Sequence, residues 1–113
     1  MRRATWMLAM VVGVVLVGAS CRKTDVRTAV IRVPQMRTQD GARLVTEAIK
    51  QARYGVQVDS IKADVVSRTV TLKYDSMELA IKNIEFLVAD AGFDANEVPR
   101  NTVAAAKLPA ECR

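Results

Sequence analysis

The sequence predicts an α+β domain with element order β-α-β-β-α-β, in which a four-stranded antiparallel sheet carries two helices on one face. Three observations predict it. Apolar residues recur at helical spacing in two separate segments. A strand-like run precedes the first of these segments, and two more strand-like runs lie between them. That order brings the loop after the first strand to one end of the sheet.

The strands are predicted from β-branched residues that alternate with polar ones. "VRTAVIRV" ends at Pro34, which cannot donate a hydrogen bond to a neighbouring strand. "VQVDSIKADVV" and "TVTLKYD" form the second and third strands, and the third places Val70, Leu72 and Tyr74 on one face. The segment 93–98 is predicted to be a short fourth strand.

The helices are predicted from their caps as well as from their apolar faces. Thr38 is expected to cap the first helix, which we expect to end at Gly55. The second is expected to start at Asp75 or Ser76, because Asp75 and Glu78 have the spacing of a capping box, and to end at Gly92. One or two helical turns are predicted in the tail, beginning near Asn101.

The first twenty residues are typical of an export signal. "MRR" is followed by an almost unbroken apolar run that ends in small residues, and Cys21 comes next. This arrangement resembles the lipobox of bacterial lipoproteins, although Gly18 stands where that box usually has Leu. The resemblance implies that Cys21 carries the lipid. Ordinary cleavage nearby and an uncleaved anchor are the alternatives.

The predicted domain organisation follows from that signal. Residues 1–20 are the lipoprotein signal peptide, 21–26 the lipidated Cys21 and a tether, 27–98 the folded domain and 99–113 a C-terminal tail. The chain would face the periplasm and be attached to the membrane, with the outer membrane as one option. After residue 20 the chain keeps 12 acidic residues and 15 of its 17 basic ones, a net charge of +3.

Charge and composition argue against two classes of function. The basic residues are scattered and aromatic residues are few, which argues against a nucleic-acid partner. The chain has no histidine, the commonest general base, and no pairing of a nucleophile with a base. We therefore expect neither nucleic-acid binding nor enzyme activity. The acidic residues at strand ends are expected to have turn-forming and capping roles.

The order and spacing of several segments resemble the heavy-metal-associated domain, the ferredoxin-like module of copper chaperones and metal-transporting ATPases. The resemblance covers residues 27–98 and includes Met36 in the first loop, "SRTVTLKYD" and "IKNIEFLVADAGFDA". The tail "AAAKLPAEC" resembles exported members that carry a cysteine at the extreme C-terminus. Metal-binding members have Met-Thr-Cys-x-x-Cys in the first loop. Here the two cysteine positions correspond to Thr38 and Gly41.

The resemblance implies soft-metal chemistry, for which this chain offers few ligands. Thiolates select soft ions such as Cu(I), which a hydroxyl and a hydrogen atom cannot replace. Cys112 is therefore the candidate primary ligand, and Met36 is a candidate helper. The alternatives are that Met36 packs in the core and that Cys112 is an exposed thiol on a mobile terminus. One thiolate without histidine cannot close a site, so further ligands would come from a second copy or a donor protein.

Two functions follow from these expectations. The first is binding or transfer of a soft metal ion, such as Cu(I), in the envelope, together with another metal-handling protein. The second is a metal-free protein–protein interaction module. For the second function, Thr69, Thr71, Lys73 and Arg32 would give the uncovered face of the sheet a polar, basic docking surface. A plain solvated face is the alternative.

Overall fold

The secondary-structure elements follow the predicted order as far as the second helix. The computed structural model describes residues 24–113, so the predicted signal peptide and Cys21 lie outside the described residues. The elements are β1 (Val26–Arg32), α1 (Gln39–Ile49), β2 (Val56–Asp64), β3 (Thr69–Asp75), α2 (Ile81–Asp90), α3 (Thr102–Ala106) and a 3-10 turn (Ala110–Cys112). Within residues 24–113, no helix is long and apolar enough to cross a bilayer.

The sheet is antiparallel, with β3 in the centre and strand order β1-β3-β2. The alternation of side chains predicted for β3 is confirmed, because Val70, Leu72 and Tyr74 are all buried. Residues of α1 and α2 bury their apolar sides in the same cluster, among them Val45 and Ile84. The core therefore lies between one face of the sheet and the two helices.

The predicted fourth strand is wrong for the described residues. In the segment 93–98 only an isolated bridge joins Ala95 to Val98, and the sheet has three strands. The chain folds back on itself there, since Asn96 has a left-handed φ of 52°. Pro99 follows and has no N–H to donate to a ladder. A tight turn therefore takes the place of an extended strand beside β1.

The helix boundaries differ from the sequence prediction. The Thr38 cap is confirmed, but α1 ends at Ile49, before Gly55. The predicted capping box is wrong, because the Asp75 carboxylate accepts a hydrogen bond from the backbone N–H of Met77 at 2.9 Å and closes a separate turn. Helix α2 starts only at Ile81, without a side-chain cap.

A large bulge interrupts β2 at residues 58–61. Gln57 pairs with Lys73 and Lys62 pairs with Thr71, so four residues of β2 lie opposite Leu72 alone. The Ser60 hydroxyl accepts a hydrogen bond from the Lys73 N–H at 2.8 Å and donates one to the Gln57 carbonyl. Ser60 thus replaces the missing strand partner, and β2 carries the extra residues while the register of β3 with β1 is uninterrupted.

Candidate functional site

The β1–α1 loop, residues 33–38, lies at one end of the sheet and is attached to it at both sides. Met36 and Val33 are fully buried in the core cluster. The Val33 N–H donates to the Arg68 carbonyl at 2.8 Å, and the Met36 N–H donates to the Val33 carbonyl at 3.1 Å. The thioether of Met36 is therefore a packed core group beneath the loop.

Thr38 and Gly41, which the sequence resemblance aligned with the two cysteine positions, have local structural roles. The Thr38 hydroxyl accepts a hydrogen bond from the Gly41 N–H at 3.2 Å and so caps α1. This bond satisfies one of the free N–H groups of the first helical turn. Gly41 is buried and leaves a space where a side chain would begin.

The Cys112 side chain lies next to that space. A Cβ atom added at Gly41 would lie 3.5 Å from the Cys112 Sγ, 3.6 Å from the Met36 Cα and 3.6 Å from the Thr38 Oγ1. The tail thus brings its thiol to the β1–α1 loop. Cys112 is fully buried, so the alternative of an exposed thiol on a mobile terminus is wrong. No pattern in the sequence predicted this contact, since the residue at position 41 has no side chain.

Gly92 provides the second point where the tail docks. A Cβ atom added there would lie 2.8 Å from the Ala105 nitrogen and 2.9 Å from the Leu108 Cδ1. The Asn101 N–H donates to the Ala89 carbonyl at 2.8 Å, and the Asn101 side chain caps α3. Tail and α2 can approach this closely only because Gly92 lacks a side chain, which positions the following residues to reach the loop.

Asp94 ties the β1–α1 loop to the start of the tail. Its N–H donates to the Gln35 Oε1 at 2.9 Å, and its carboxylate accepts hydrogen bonds from the Gln35 amide and from the Arg100 N–H, the latter at 2.9 Å. The Arg100 backbone bond is the main reason that the pKa of Asp94 is lowered; the Gln35 bond and the Arg100 charge add to it.

This lowered pKa predicts a pH dependence of stability. The ordinary pKa of an aspartate is 3.8, and the pKa of Asp94 is lower in the folded protein. The ionised carboxylate therefore stabilises the fold at pH values above 3.8, and this contribution is lost as the pH falls through the lowered pKa. We expect Asp94→Asn to flatten the loss of the free energy of unfolding between about pH 5 and pH 2. Urea unfolding across this range measures it. Asp59→Asn, at an exposed carboxylate, is the control; equal slopes in both variants would contradict the prediction.

The β1–α1 loop offers few candidate metal ligands, and these are sulfur atoms, which prefer soft ions. Among the described residues, no group of three or more His, Cys, Asp or Glu side chains could hold a metal ion. Cys112 is the free cysteine in this part of the chain, and the Met36 Cα lies 3.6 Å from the same Gly41 Cβ position that the Cys112 Sγ approaches. One thiolate with a thioether suits a low-coordinate soft ion and does not suit a hard cation, which prefers oxygen ligands.

The open face, defined here as the side of the sheet away from the helices, carries the residues predicted for it. Arg32 pairs with Thr69, while Thr71 pairs with both Val30 and Lys62. Lys73 is exposed on the same face. Asp64, opposite Thr69, adds one negative charge to the three basic side chains of this surface. The open face is weakly basic, and the exposed Val26 and Val30 add apolar area at its β1 edge.

Comparison with solved structures supports the fold. Oxidized MerP from Ralstonia metallidurans CH34 superposes with a TM-score of 0.58 and 21% identity, over 64% of this chain and 96% of that one. The CopZ metallochaperone gives 0.55 and 20%, over 61% and 98%. No protein-family model matches the sequence, and no curated protein matches it significantly. At these identities the likeness establishes a shared α+β fold with an antiparallel sheet.

Proposed function

We propose that this domain binds or transfers a soft metal ion such as Cu(I), with Cys112 as the primary ligand and Met36 as a helper. The observation that carries the proposal is the 3.5 Å approach of the Cys112 Sγ to the Cβ position of Gly41. The tail places one thiol at the loop. Metal-binding members of the family that the sequence resembles have two cysteine thiols in this loop. The likeness to the CopZ metallochaperone adds that this fold serves metal delivery in another protein.

An ion can reach Cys112 only if the end of the tail moves, because the thiol is fully buried. The 3-10 turn is held by bonds within the tail itself: the Cys112 N–H donates to the Pro109 carbonyl, and the Arg113 side chain donates to the Leu108 carbonyl. The short turn can therefore lift from the loop without breaking a backbone bond to α1 or to the sheet. A lifted Cys112 could share the ion with a partner protein.

A competition titration with a chromogenic Cu(I) chelator tests the proposal on the full chain in detergent, under reducing anaerobic conditions. We expect Cys112→Ser to weaken Cu(I) binding by about tenfold or more, since even groups outside the ligand shell contribute 10–100-fold. Met36→Leu should have a smaller effect. Cys21→Ser is the matched control and should leave binding unchanged. Equal affinity of the wild type and Cys112→Ser would overturn the proposal.

A metal-free interaction module is the second candidate. It is favoured by the use of the Thr38 hydroxyl as a helix cap and by the membership of Cys112 in the apolar core cluster. Both groups have a structural explanation without any ion. In this case Cys112→Ser should lower the free energy of unfolding and leave the weak Cu(I) binding of the chain as it was.

We also propose that Cys21 anchors the chain to the cell envelope, where it faces the periplasm. The support is the sequence pattern of residues 1–21. Such an anchor would hold the domain within a few residues of the bilayer, because β1 begins at Val26. Incorporation of a labelled fatty acid that persists in Cys21→Ser would contradict this attachment.

A further inference from the structure

The edge of the sheet at β1 is open over most of its length in the part of the chain that the structure describes. Strand β1 is an outer strand, and the turn at residues 95–98 covers only its end. There the Arg32 N–H donates to the Asn96 side-chain oxygen at 2.8 Å, and the Asn96 N–H donates to the Arg32 carbonyl at 2.9 Å. The remainder of β1 has no such cover within residues 24–113.

The hydrogen bonds at the two ends of β1 show which backbone groups point outward. The Val33 N–H bonds to the Arg68 carbonyl, and the Asp25 carbonyl accepts from the Ser76 N–H, both at 2.8 Å. Residues 25 and 33 therefore face β3, and the odd-numbered residues between them do the same. The N–H and C=O groups of Val26, Thr28 and Val30 point away from the sheet.

The side chains of these three residues give the edge an apolar, uncharged character. They lie on the open face, with Val26 exposed by 51% and Val30 by 56%. Thr28 between them is also exposed. Proteins usually protect an edge strand with charged residues, a proline or a bulge. Between Val26 and Val30 there is no proline or bulge, and the one charged residue, Arg27, lies on the helix side of the sheet, where it pairs with Asp25 at 2.9 Å. An unprotected edge of this kind accepts another strand.

We propose that the occupant is a second copy of this chain, paired antiparallel through β1 about a two-fold axis at Thr28. In this register Val26 lies opposite Val30 of the partner subunit, and the two threonines lie opposite each other. Each of the three outward-facing residues then forms a pair with a residue of the partner subunit that is joined by two backbone hydrogen bonds. Each exposed valine gains an apolar cross-strand neighbour. The two three-stranded sheets become one continuous sheet.

The neighbouring register is worse for a reason visible in the structure. A shift that sets Thr28 opposite Val30 would place Val26 opposite Arg32, whose backbone groups are already bonded to Asn96. Self-pairing about Thr28 satisfies all three open residues and leaves the Asn96 contact intact. The pattern from Val26 to Val30 is thus complementary to itself, as a two-fold interface requires.

Sedimentation of the full chain in detergent over a range of concentrations tests the dimer. We expect a reversible dimer whose dissociation constant rises by about tenfold or more in Thr28→Pro, because the loss of an outward N–H removes two symmetry-related bonds. Proline at this position leaves the bonds to β3 untouched. Circular dichroism verifies the fold. Val30→Lys should weaken the dimer as well, whereas Val66→Lys, at a valine exposed by 90%, is the control and should not.

Crosslinking locates the axis. In a Cys21→Ser background, Thr28→Cys should form an intermolecular disulfide, since residues paired in this way have Cα atoms about 5.5 Å apart, within the range of a disulfide. Lys73→Cys, on the same face but in the central strand, should not. A monomeric wild type, or a dimer that Thr28→Pro leaves unchanged, would overturn the proposal. Neither result depends on metal binding.

Discussion

Replacing Gly41 with cysteine is expected to raise the affinity for Cu(I) by about 100-fold or more. A Cβ atom at this position lies 3.5 Å from the Cys112 Sγ and at ordinary contact distance from Met36 and Thr38. The substitution therefore adds a second thiolate beside the first without displacing the backbone. Two thiolates are the ligand set that soft ions prefer. Since a group outside the ligand shell already changes metal affinity 10–100-fold, an added ligand should exceed that range.

The same competition titration measures this gain under reducing conditions. Gly41→Ser, which adds a similar side chain without sulfur, is the matched control and should bind as the wild type does. The double variant Gly41→Cys with Cys112→Ser should lose the gain, because it has one thiol again. If Gly41→Cys binds Cu(I) no better than Gly41→Ser, then the tail does not hold Cys112 at the loop in solution.

Replacing Gly92 with alanine is expected to lower the free energy of unfolding by about 2–5 kcal/mol. Two costs add: a side chain at a φ of +103° is strained, and its Cβ would lie 2.8 Å from the backbone nitrogen of Ala105. Because the neighbouring atoms belong to backbone, α3 must shift and carry the rest of the tail with it. Urea unfolding measures the loss of stability.

The displaced tail should also expose its thiol. We compare the Cys21→Ser variant with the double variant Cys21→Ser, Gly92→Ala. Cys112 should react faster with a thiol reagent in the double variant. Gly41→Ala is the matched control, since its added methyl group finds only ordinary contacts and helix α1 favours alanine over glycine. If Gly92→Ala is as stable as Gly41→Ala, the tail does not pack against Gly92.

Most of the local structure could be predicted from the sequence, because it depends on neighbouring residues. The period-two pattern of β3, the Thr38 cap and the helical turns that begin near Asn101 depend on local signals, and all three were predicted correctly. The capping box at Asp75 was also a local signal, but it was wrong. Its carboxylate instead accepts hydrogen bonds from the N–H groups of Met77 and of Asp25, the residue before β1. A distant partner overrode the local pattern there.

The candidate site was only half visible in the sequence. Met36 and the absence of cysteines at positions 38 and 41 could be read directly, as could the thiol at position 112. The contact between the Cys112 thiol and the loop could not be predicted, because it depends on two glycines that no sequence motif marks as functional. Gly92 lets the tail approach α2, and Gly41 leaves the space beside the thiol. Both glycines contribute by having no side chain.

The sequence by itself determined the order of the elements as far as the second helix, the face of the sheet that is buried and the small number of metal ligands. Those properties follow from residue types and their spacing along the chain. Only the tertiary structure decided that the segment 95–98 forms a turn against the end of β1 in place of a strand, that the tail docks on Gly92, and that Cys112 lies against the loop. These outcomes depend on close approach between residues far apart in sequence, which no local pattern encodes.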